Sequence, residues 1–388
     1  MRIDYRKLKA QYEKLGADQF CKVLDEAVAG GDVDVNGFSV KECALEMMGR
    51  QYVERLDPRG GSFIMEAGDA VDSTAFSNIT GQLIINKVME AYQQPAFWAS
   101  GLVQTISTRL SGEKIPGIGK IKDETPTVNE GMPYENFGFG EDYIETPATT
   151  KRGFIVSVTK EAIFFDRTGL ILSRAAEVGQ VLGLNKEKRI LDVLLGVTNN
   201  YKWKGTSYSS YVSTPWDNTI TNVLTDWTDI DAAEQLFAAM IDPNTSEPIL
   251  INQPNMTLVV MPDNRHQARR ILNATQLLYG IPSSASAQTL TYAPNSISPY
   301  RLEDNTALAK ARLVASEVAA ADAAKYWYLG DFRKAFAYME NWPITVTQAP
   351  SNSEAEFTQD IVSRFKCSER GVAAVLDPRY VVRSTGAG

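Results

Sequence analysis

Between Ser111 and Thr150 the chain carries six glycines in its first thirty residues, four prolines overall and few aliphatic side chains. No packed core can be built from such a stretch, and forty residues exceed the ~12–15 usual for a structureless connection inside a domain. Turn chemistry fills its middle, whereas Thr150-Lys151-Arg152-Gly153-Phe154-Ile155-Val156-Ser157-Val158 at its far end alternates as a strand does. The segment therefore reads as an extended two-stranded loop. It is also acidic: Lys114, Lys120 and Lys122 stand against Glu113, Asp123, Glu124, Glu130, Glu135, Glu141, Asp142 and Glu145, a net of −5.

A long helix follows. Asp166 is placed as its N-cap, and the pattern runs from about Thr168 to Leu195, or about 42 Å at ~1.5 Å per residue. Ile171, Ala175, Val178 and Leu182 form one apolar stripe, which Ile190, Val193 and Leu194 continue beyond the charged Lys186-Glu187-Lys188-Arg189 turn. Gly179 and Gly183 each weaken a helix by ~1 kcal/mol relative to Ala, so close backbone packing is the expected reason for them. From Arg167 onward, Arg167, Arg174, Lys186, Lys188 and Arg189 outnumber Glu177, Glu187 and Asp192, a net of +2 beside the acidic loop.

Around these two elements the rest of the chain reads as α+β. Residues 1–58 hold two helical patterns separated by Gly30-Gly31, the first through Leu8, Tyr12, Leu15, Phe20, Val23, Leu24 and Val28, the second from Val40 to Leu56. They form either a helical hairpin packed on a core or an extended, detachable arm. A further helix spans about Ser77 to Gln93 and stops before Pro95. Residues 196–227 are polar and aromatic, with Tyr201, Trp203, Tyr208, Tyr211 and Trp216, and read as an ordered excursion whose rings pack against another subunit. Next come a helix from Thr228 to Ile241, strands at Pro248–Asn252 and Met256–Met261, and a helix opened by Asp263. A Ser/Pro/Asn-rich loop is expected from Thr275 to Asn305, then strands at Arg312–Ala315, Tyr326–Leu329, Ala335–Met339 and Ile344–Val346, and a pair, Ile361–Phe365 and Val372–Leu376, joined by a turn.

Composition narrows the chemistry. The 388 residues correspond to two or three units at ~150 residues each. A net charge of −8 argues against a dedicated nucleic-acid grip. The one histidine, His266, and three scattered cysteines, Cys21, Cys43 and Cys367, supply no metal-ligand spacing, no disulfide scaffold and no Ser-His-Asp relay. Gly117-Ile118-Gly119 and Gly138-Phe139-Gly140 lack the third glycine and the Lys-Ser/Thr of a phosphate loop. No cofactor, metal or catalytic set is expected. The charged start, Met1-Arg2-Ile3-Asp4-Tyr5-Arg6-Lys7, does not read as a secretory signal, and no apolar run reaches the ~20 residues of a membrane span.

Three stretches, taken in order, resemble the Hong Kong 97-type major capsid proteins of tailed bacteriophages. Glu130-Gly131-Met132-Pro133-Tyr134, with Lys151 to Ile163 and Asp166, resembles that family's E-loop, its returning strand and the start of its spine helix. Tyr328-Leu329-Gly330-Asp331-Phe332-Arg333-Lys334-Ala335 resembles its Gly-Asp-Phe segment, and Ala373-Ala374-Val375-Leu376-Asp377-Pro378-Arg379-Tyr380 its closing strand and Asp-Pro turn. The resemblance implies an arm at 1–72, a helix and strand at 73–110, the E-loop at 111–150, a P-domain with spine helix and polar insertion at 151–226, an A-domain at 227–326 and returning strands at 327–388.

The same resemblance implies a non-enzymatic protein of the virion capsid, assembled in the host cytoplasm. Its copies would form pentamers and hexamers around packaged double-stranded DNA that they contact weakly, with portal, scaffold, maturation protease and decoration proteins as further partners and no membrane. Each E-loop would lie over a neighbouring copy, which makes Glu130, Tyr134, Glu141, Asp142 and Glu145 on the loop, and Arg167, Arg174, Lys186 and Arg189 on the helix, the candidate interface residues. Lys114, Lys120 and Lys122 would be the donors of any isopeptide crosslink, but without a recognisable acceptor none is expected. Two rivals stand beside this reading. One is an encapsulin-like nanocompartment; the other, of a different class, is a virion-associated glycan hydrolase using loop carboxylates such as Glu141 and Asp142.

Overall fold

The computed structural model describes residues 5–15, 17–29, 42–43, 67–93, 97–119, 127–132, 142–159, 170–249, 251, 256–284, 287–297, 300–349 and 361–387. In chain order these hold α1 (Tyr5–Leu15), α2 (Ala17–Ala29), α3 (Ala67–Tyr92), α4 (Ala99–Leu102), β1 (Gln104–Ser107), β2 (Lys114–Pro116), β3 (Tyr143–Glu145), β4 (Thr150–Thr159) and α5 (Leu170–Leu194). The chain continues through β5 (Tyr201–Trp203), β6 (Thr206–Tyr208), β7 (Thr219–Ile220), α6 (Trp227–Ala239), β8 (Thr257–Val260), α7 (Arg265–Leu272), β9 (Gln276–Ser284), β10 (Ala287–Pro294) and β11 (Arg301–Glu303). It ends with α8 (Ala307–Ala315), α9 (Ala320–Ala323), β12 (Trp327–Gly330), α10 (Phe332–Ala335), β13 (Phe336–Gln348), β14 (Ile361–Val375) and β15 (Val381–Ser384). The mixed helix and sheet matches the α+β expectation, and no helix among the described residues is long and apolar enough to cross a membrane.

Two compact units share the chain, and their boundaries fall between Phe97 and Trp98 and inside β4, α5, β13 and β14. The first comprises Met1–Phe97, Lys151–Asn185 and Trp342–Arg370. Leu8, Phe20 and Leu24 of α1 and α2, Leu83, Ile84 and Val88 of α3, Val158 of β4, Ala175 and Leu182 of α5, and Ile344, Phe365 and Cys367 form its core. Tyr12 meets Phe20 edge-on at 5.5 Å, so the first helical pattern is two packed helices. The α5 glycines serve close packing: a Cβ on Gly179 would lie 2.3 Å from the Val88 carbonyl oxygen, and one on Gly183 2.7 Å from that of Tyr92. In this unit β14 lies between β13 and β4.

The second unit comprises Trp98–Thr150, Lys186–Asn341 and Gly371–Gly388. A five-stranded sheet of order β11-β8-β12-β15-β7 runs through it, parallel at its two outer pairs and antiparallel at the inner two. Every residue of β8 (Thr-Leu-Val-Val) and β12 (Trp-Tyr-Leu-Gly) is buried, as unbroken apolar runs in central strands require. Ile230, Ala233 and Phe237 of α6, Ala268 and Ile271 of α7 and Leu313 of α8 belong to the same core. Asp226 caps α6, accepting from the Thr228 amide while Asp229 reaches back to the cap, a complete capping box. The unit also holds a four-stranded antiparallel sheet of order β2-β3-β5-β6, a separate β9–β10 ribbon, and β1 paired in parallel with the start of β13.

Several local expectations are corrected. Arg312–Ala315 is the end of helix α8, because the run Ala307-Leu308-Ala309-Lys310-Ala311 before it has high helix propensity. Thr275–Asn305 is not a loop but the β9–β10 hairpin followed by β11; its Ser and Pro residues hid the alternation. Ala335–Met339 and Ile344–Val346 are one strand, β13. The turn expected between Phe365 and Val372 is absent, since β14 runs straight through Gly371, whose missing side chain lets the Tyr338 ring lie against the backbone. The helix expected from Ser77 starts at Ala67. Of the Pro248–Asn252 strand the described residues show one bridge, Ile241 to Pro248. The second amino-terminal pattern lies outside the described residues except for Glu42 and Cys43, which are helical.

Candidate functional site

The acidic loop is anchored at its base. β2 and β3 pair antiparallel with Lys114 opposite Glu145, Ile115 opposite Ile144 and Pro116 opposite Tyr143. Ile144 is buried, and β3 pairs on its other edge with β5. The Thr146 amide donates to the Glu113 carbonyl at 2.9 Å, and the Glu113 amide donates to Thr146 Oγ1 at 2.9 Å. Gly112 turns the chain into this ladder at φ +75°, where an L side chain would be strained. The two-stranded reading holds for this base.

Asp142 is committed to that anchor. Its carboxylate accepts from the Gly119 amide and from Trp203 Nε1, each at 2.6 Å, while its carbonyl accepts from the Gly117 amide at 3.0 Å. Glu145 lies 3.8 Å from Lys114 Nζ, which sits 4.1 Å over the Tyr143 ring. Glu130 is exposed on a short turn closed by the Met132 amide on the Asn129 carbonyl at 3.0 Å. Tyr134, Glu141 and Arg167 lie outside the described residues, as do Lys120 and Lys122.

The aromatic segment after α5 is corrected from an inter-subunit surface to a local core. Tyr201 and Trp216 are buried and meet edge-on at 5.6 Å, with Trp203 and Tyr208 against Trp216 at 6.3 and 5.5 Å. Tyr211 donates to the Leu194 carbonyl at 2.6 Å and Tyr328 to that of Leu195 at 3.2 Å, so these hydroxyls close the carboxyl end of α5. Burial pushes both tyrosine hydroxyls well above their ordinary pKa.

The charges of α5 are largely spoken for. Lys186 reaches Glu340 at 3.4 Å and lies 4.4 Å over the Tyr338 ring. Arg189 sits 6.0 Å over the same ring and donates to the Gly371 carbonyl at 3.5 Å. Asp192 receives Arg312 through two bonds of 2.7 Å. Arg174 pairs with Glu177 on the exposed face at 2.8 Å. Glu187 is 1 % exposed and accepts from the Ala99 amide at 2.6 Å, the Ser100 amide at 3.0 Å and Ser100 Oγ at 2.9 Å, closing the start of α4. Burial nevertheless pushes its carboxyl above the usual carboxylate range.

Arg379 is the other buried ion. Its guanidinium makes bonds of 2.9 and 2.8 Å to Asp377, lies 3.7 Å from Asp242 and donates to the Ile118 carbonyl next to the loop base. Burial opposes its charge, and Asp377 with Asp242 and Tyr380 together outweigh that cost and hold its pKa above the ordinary value. A cleft of about 420 Å³ beside it is lined by Ile106, Ile115, Ile118, Asp242, Arg379 and Tyr380. Sequence reading missed Glu187, which sits in a run typical of a solvated turn, and Arg379, whose Asp-Pro-Arg setting pointed only to a turn. Ala99 and Ser100 lie far from Glu187 in sequence, as do Asp242 and Ile118 from Arg379.

A family model described as phage capsid protein matches residues 143–384. No curated protein sequence matches the chain significantly. Among solved structures, the capsid of a native GTA particle computed with C5 symmetry is 10% identical, with 89% of this chain and 99% of that chain covered and a TM-score of 0.46. The Cyanophage Pam1 capsid is 14% identical over 72% of this chain and 86% of that one, with a TM-score of 0.43. A chain from Mycobacterium phage Cain is 14% identical over 74% and 89%, with a TM-score of 0.42.

Proposed function

Because this chain belongs to the phage capsid protein family, we propose that it is the major capsid protein of a tailed bacteriophage, whose copies form the pentamers and hexamers of an icosahedral shell around packaged double-stranded DNA. Its role is structural. The observation that carries the reading is the family match, which runs from β3 to β15.

In this reading 111–150 is the E-loop, α5 the spine helix and 227–326 the A-domain, and the loop finds its surface on a second copy. The anchored base supports the assignment: β2 and β3 are fastened to their own body, while Glu130 stands exposed and without an ion pair among the described residues. Docking of loop acid onto the helix is narrowed. Lys186 and Arg189 are satisfied within the chain, and Asp142 is tied to Gly119 and Trp203. Exposed pairs contribute only ~0–1 kcal/mol each, so apolar contact supplies most of the affinity. Ile155 at 67 % exposed and Met132 at 63 % are the side chains on and beside the loop with most to bury.

The test is overexpression followed by sedimentation and negative-stain electron microscopy. Closed shells are expected. A particle that stays strictly monomeric at high concentration would sink the reading, and shells holding protein cargo in place of DNA would move it to a nanocompartment. Polysaccharide cleavage lost in Glu141→Gln would move it to the hydrolase.

A further inference from the structure

The second unit contains a cleft of about 780 Å³ whose charge is opposite to that of the molecule as a whole. Arg301, Arg333 and Lys334 line it against a single carboxylate, Asp331. β11 carries Arg301 beside Thr257 of β8, and the short helix α10 between β12 and β13 carries the other two. Their local pairing is weak or missing. Arg301 lies 3.9 Å from Glu303, Lys334 lies 3.6 Å from Asp331, and Arg333 is exposed with no ion pair or hydrogen bond among the described residues.

We propose that this cleft receives the acidic loop of a second copy. The inference rests on the reading above, that the loop docks on another subunit, and it names the acceptor. Both halves of the pair are present in one chain, and each keeps an excess of charge after its internal contacts. The loop carries a net of −5 with Glu130 exposed, and the cleft carries three cations against one carboxylate. Of the cations first expected to receive the loop, Lys186 and Arg189 already serve Glu340, Tyr338 and Gly371 of their own chain, Arg174 pairs with Glu177, and Arg167 lies outside the described residues. A donor patch and an acceptor patch at different places on one polypeptide make a heterologous contact, which closes into rings when the rotation allows.

Shape favours a peptide over nucleic acid. The volume lies in the range of a pocket for a small ligand or a few side chains, and it is concave, whereas a duplex presents its phosphates on convex ridges. Gln104 and Thr257 in the lining add neutral hydrogen-bonding groups suited to carboxylates and backbone. Charge here sets register and encounter rate, so assembly should weaken as salt shortens the Debye length below ~10 Å.

The test compares assembly of the full chain with that of three variants: Arg301→Glu with Arg333→Glu, the same pair with Glu130→Arg, and a chain lacking residues 121–140. Both arginines are solvent-exposed, so circular dichroism should report an unchanged fold. Sedimentable shells should fall at least tenfold in the first variant and recover in part in the second. Normal shells from the first variant would overturn the cleft, as would a loss of shells that no charge reversal in the loop restores. Shells that form normally but lose their nucleic acid would also overturn it and mark the cleft as a phosphate site. If the first variant assembles while the loop deletion does not, the cleft falls and the loop reading survives; if the deletion also assembles, the loop reading itself falls.

Discussion

Both halves of α5 bury apolar side chains, but only the second adds buried charge. From Leu170 to Asn185 the helix is fastened by absence: Gly179 and Gly183 leave room for the backbone oxygens of Val88 and Tyr92, and Ala175 and Leu182 fill the apolar core around them. From Lys186 to Leu194 it also buries Ile190, Leu191, Val193 and Leu194, and charge is added to that packing, through Glu187 on the amides of Ala99 and Ser100, Lys186 on Glu340, and Asp192 on Arg312. Close apolar packing tolerates almost no added volume, whereas a hydrogen-bonded ion tolerates small changes of shape but not loss of its partner. One continuous helix thus carries two kinds of vulnerability.

The sharpest way to break that comparison is Gly179→Ala. In a free helix interior this change gains ~1 kcal/mol. Here the new Cβ would collide with the Val88 carbonyl oxygen, so a loss of about 3 kcal/mol is expected in denaturant unfolding of the unassembled chain. A gain in stability would show that the two helices do not approach so closely.

Glu187→Ala should cost about 2 kcal/mol, because it strands the buried amides of Ala99 and Ser100. A cost below a few tenths, by the same measurement, would show that the apolar side chains hold the second half without help from Glu187. Arg312→Ala should cost about 1 kcal/mol, since it removes a bidentate pair whose members keep partial contact with water.

The smallest effect expected is a change of slope. Burial raises the folded-state pKa of Glu187 above its unfolded value, so the folded chain holds that proton more tightly. The stability it contributes is fully present below the ordinary carboxylate range and is lost as pH rises through the raised value. Glu187→Gln should flatten that decline in stability-versus-pH curves, and an unchanged slope would place the proton elsewhere.

Much of this was legible before any coordinates. The stripe from Ala175 to Leu182, the reason for Gly179 and Gly183, the Thr150 strand and the two-stranded base of the acidic loop all follow from periodicity and turn chemistry. Periodicity misled where side chains were small or interrupted. The alanines of α8 looked like a strand once only Arg312–Ala315 was weighed, and Gly371 looked like a turn when it is a seat for the Tyr338 ring. Of the interface candidates, Glu130 is exposed, whereas Asp142, Lys186 and Arg189 make contacts within the chain.

What the residue order determined by itself was local: which segments are helix or strand, which stretch can build no core, and where charge accumulates. Those properties depend on neighbours a few positions away, within reach of propensity and period. The tertiary structure alone decided which charges are buried and which are left over. Glu187 meets Ala99 and Ser100 across more than eighty residues and Arg379 meets Ile118 across more than two hundred and fifty. A carboxylate in a Lys-Glu-Lys-Arg run looks the same whether it faces water or a buried amide, because desolvation depends on what the rest of the chain brings to it in space.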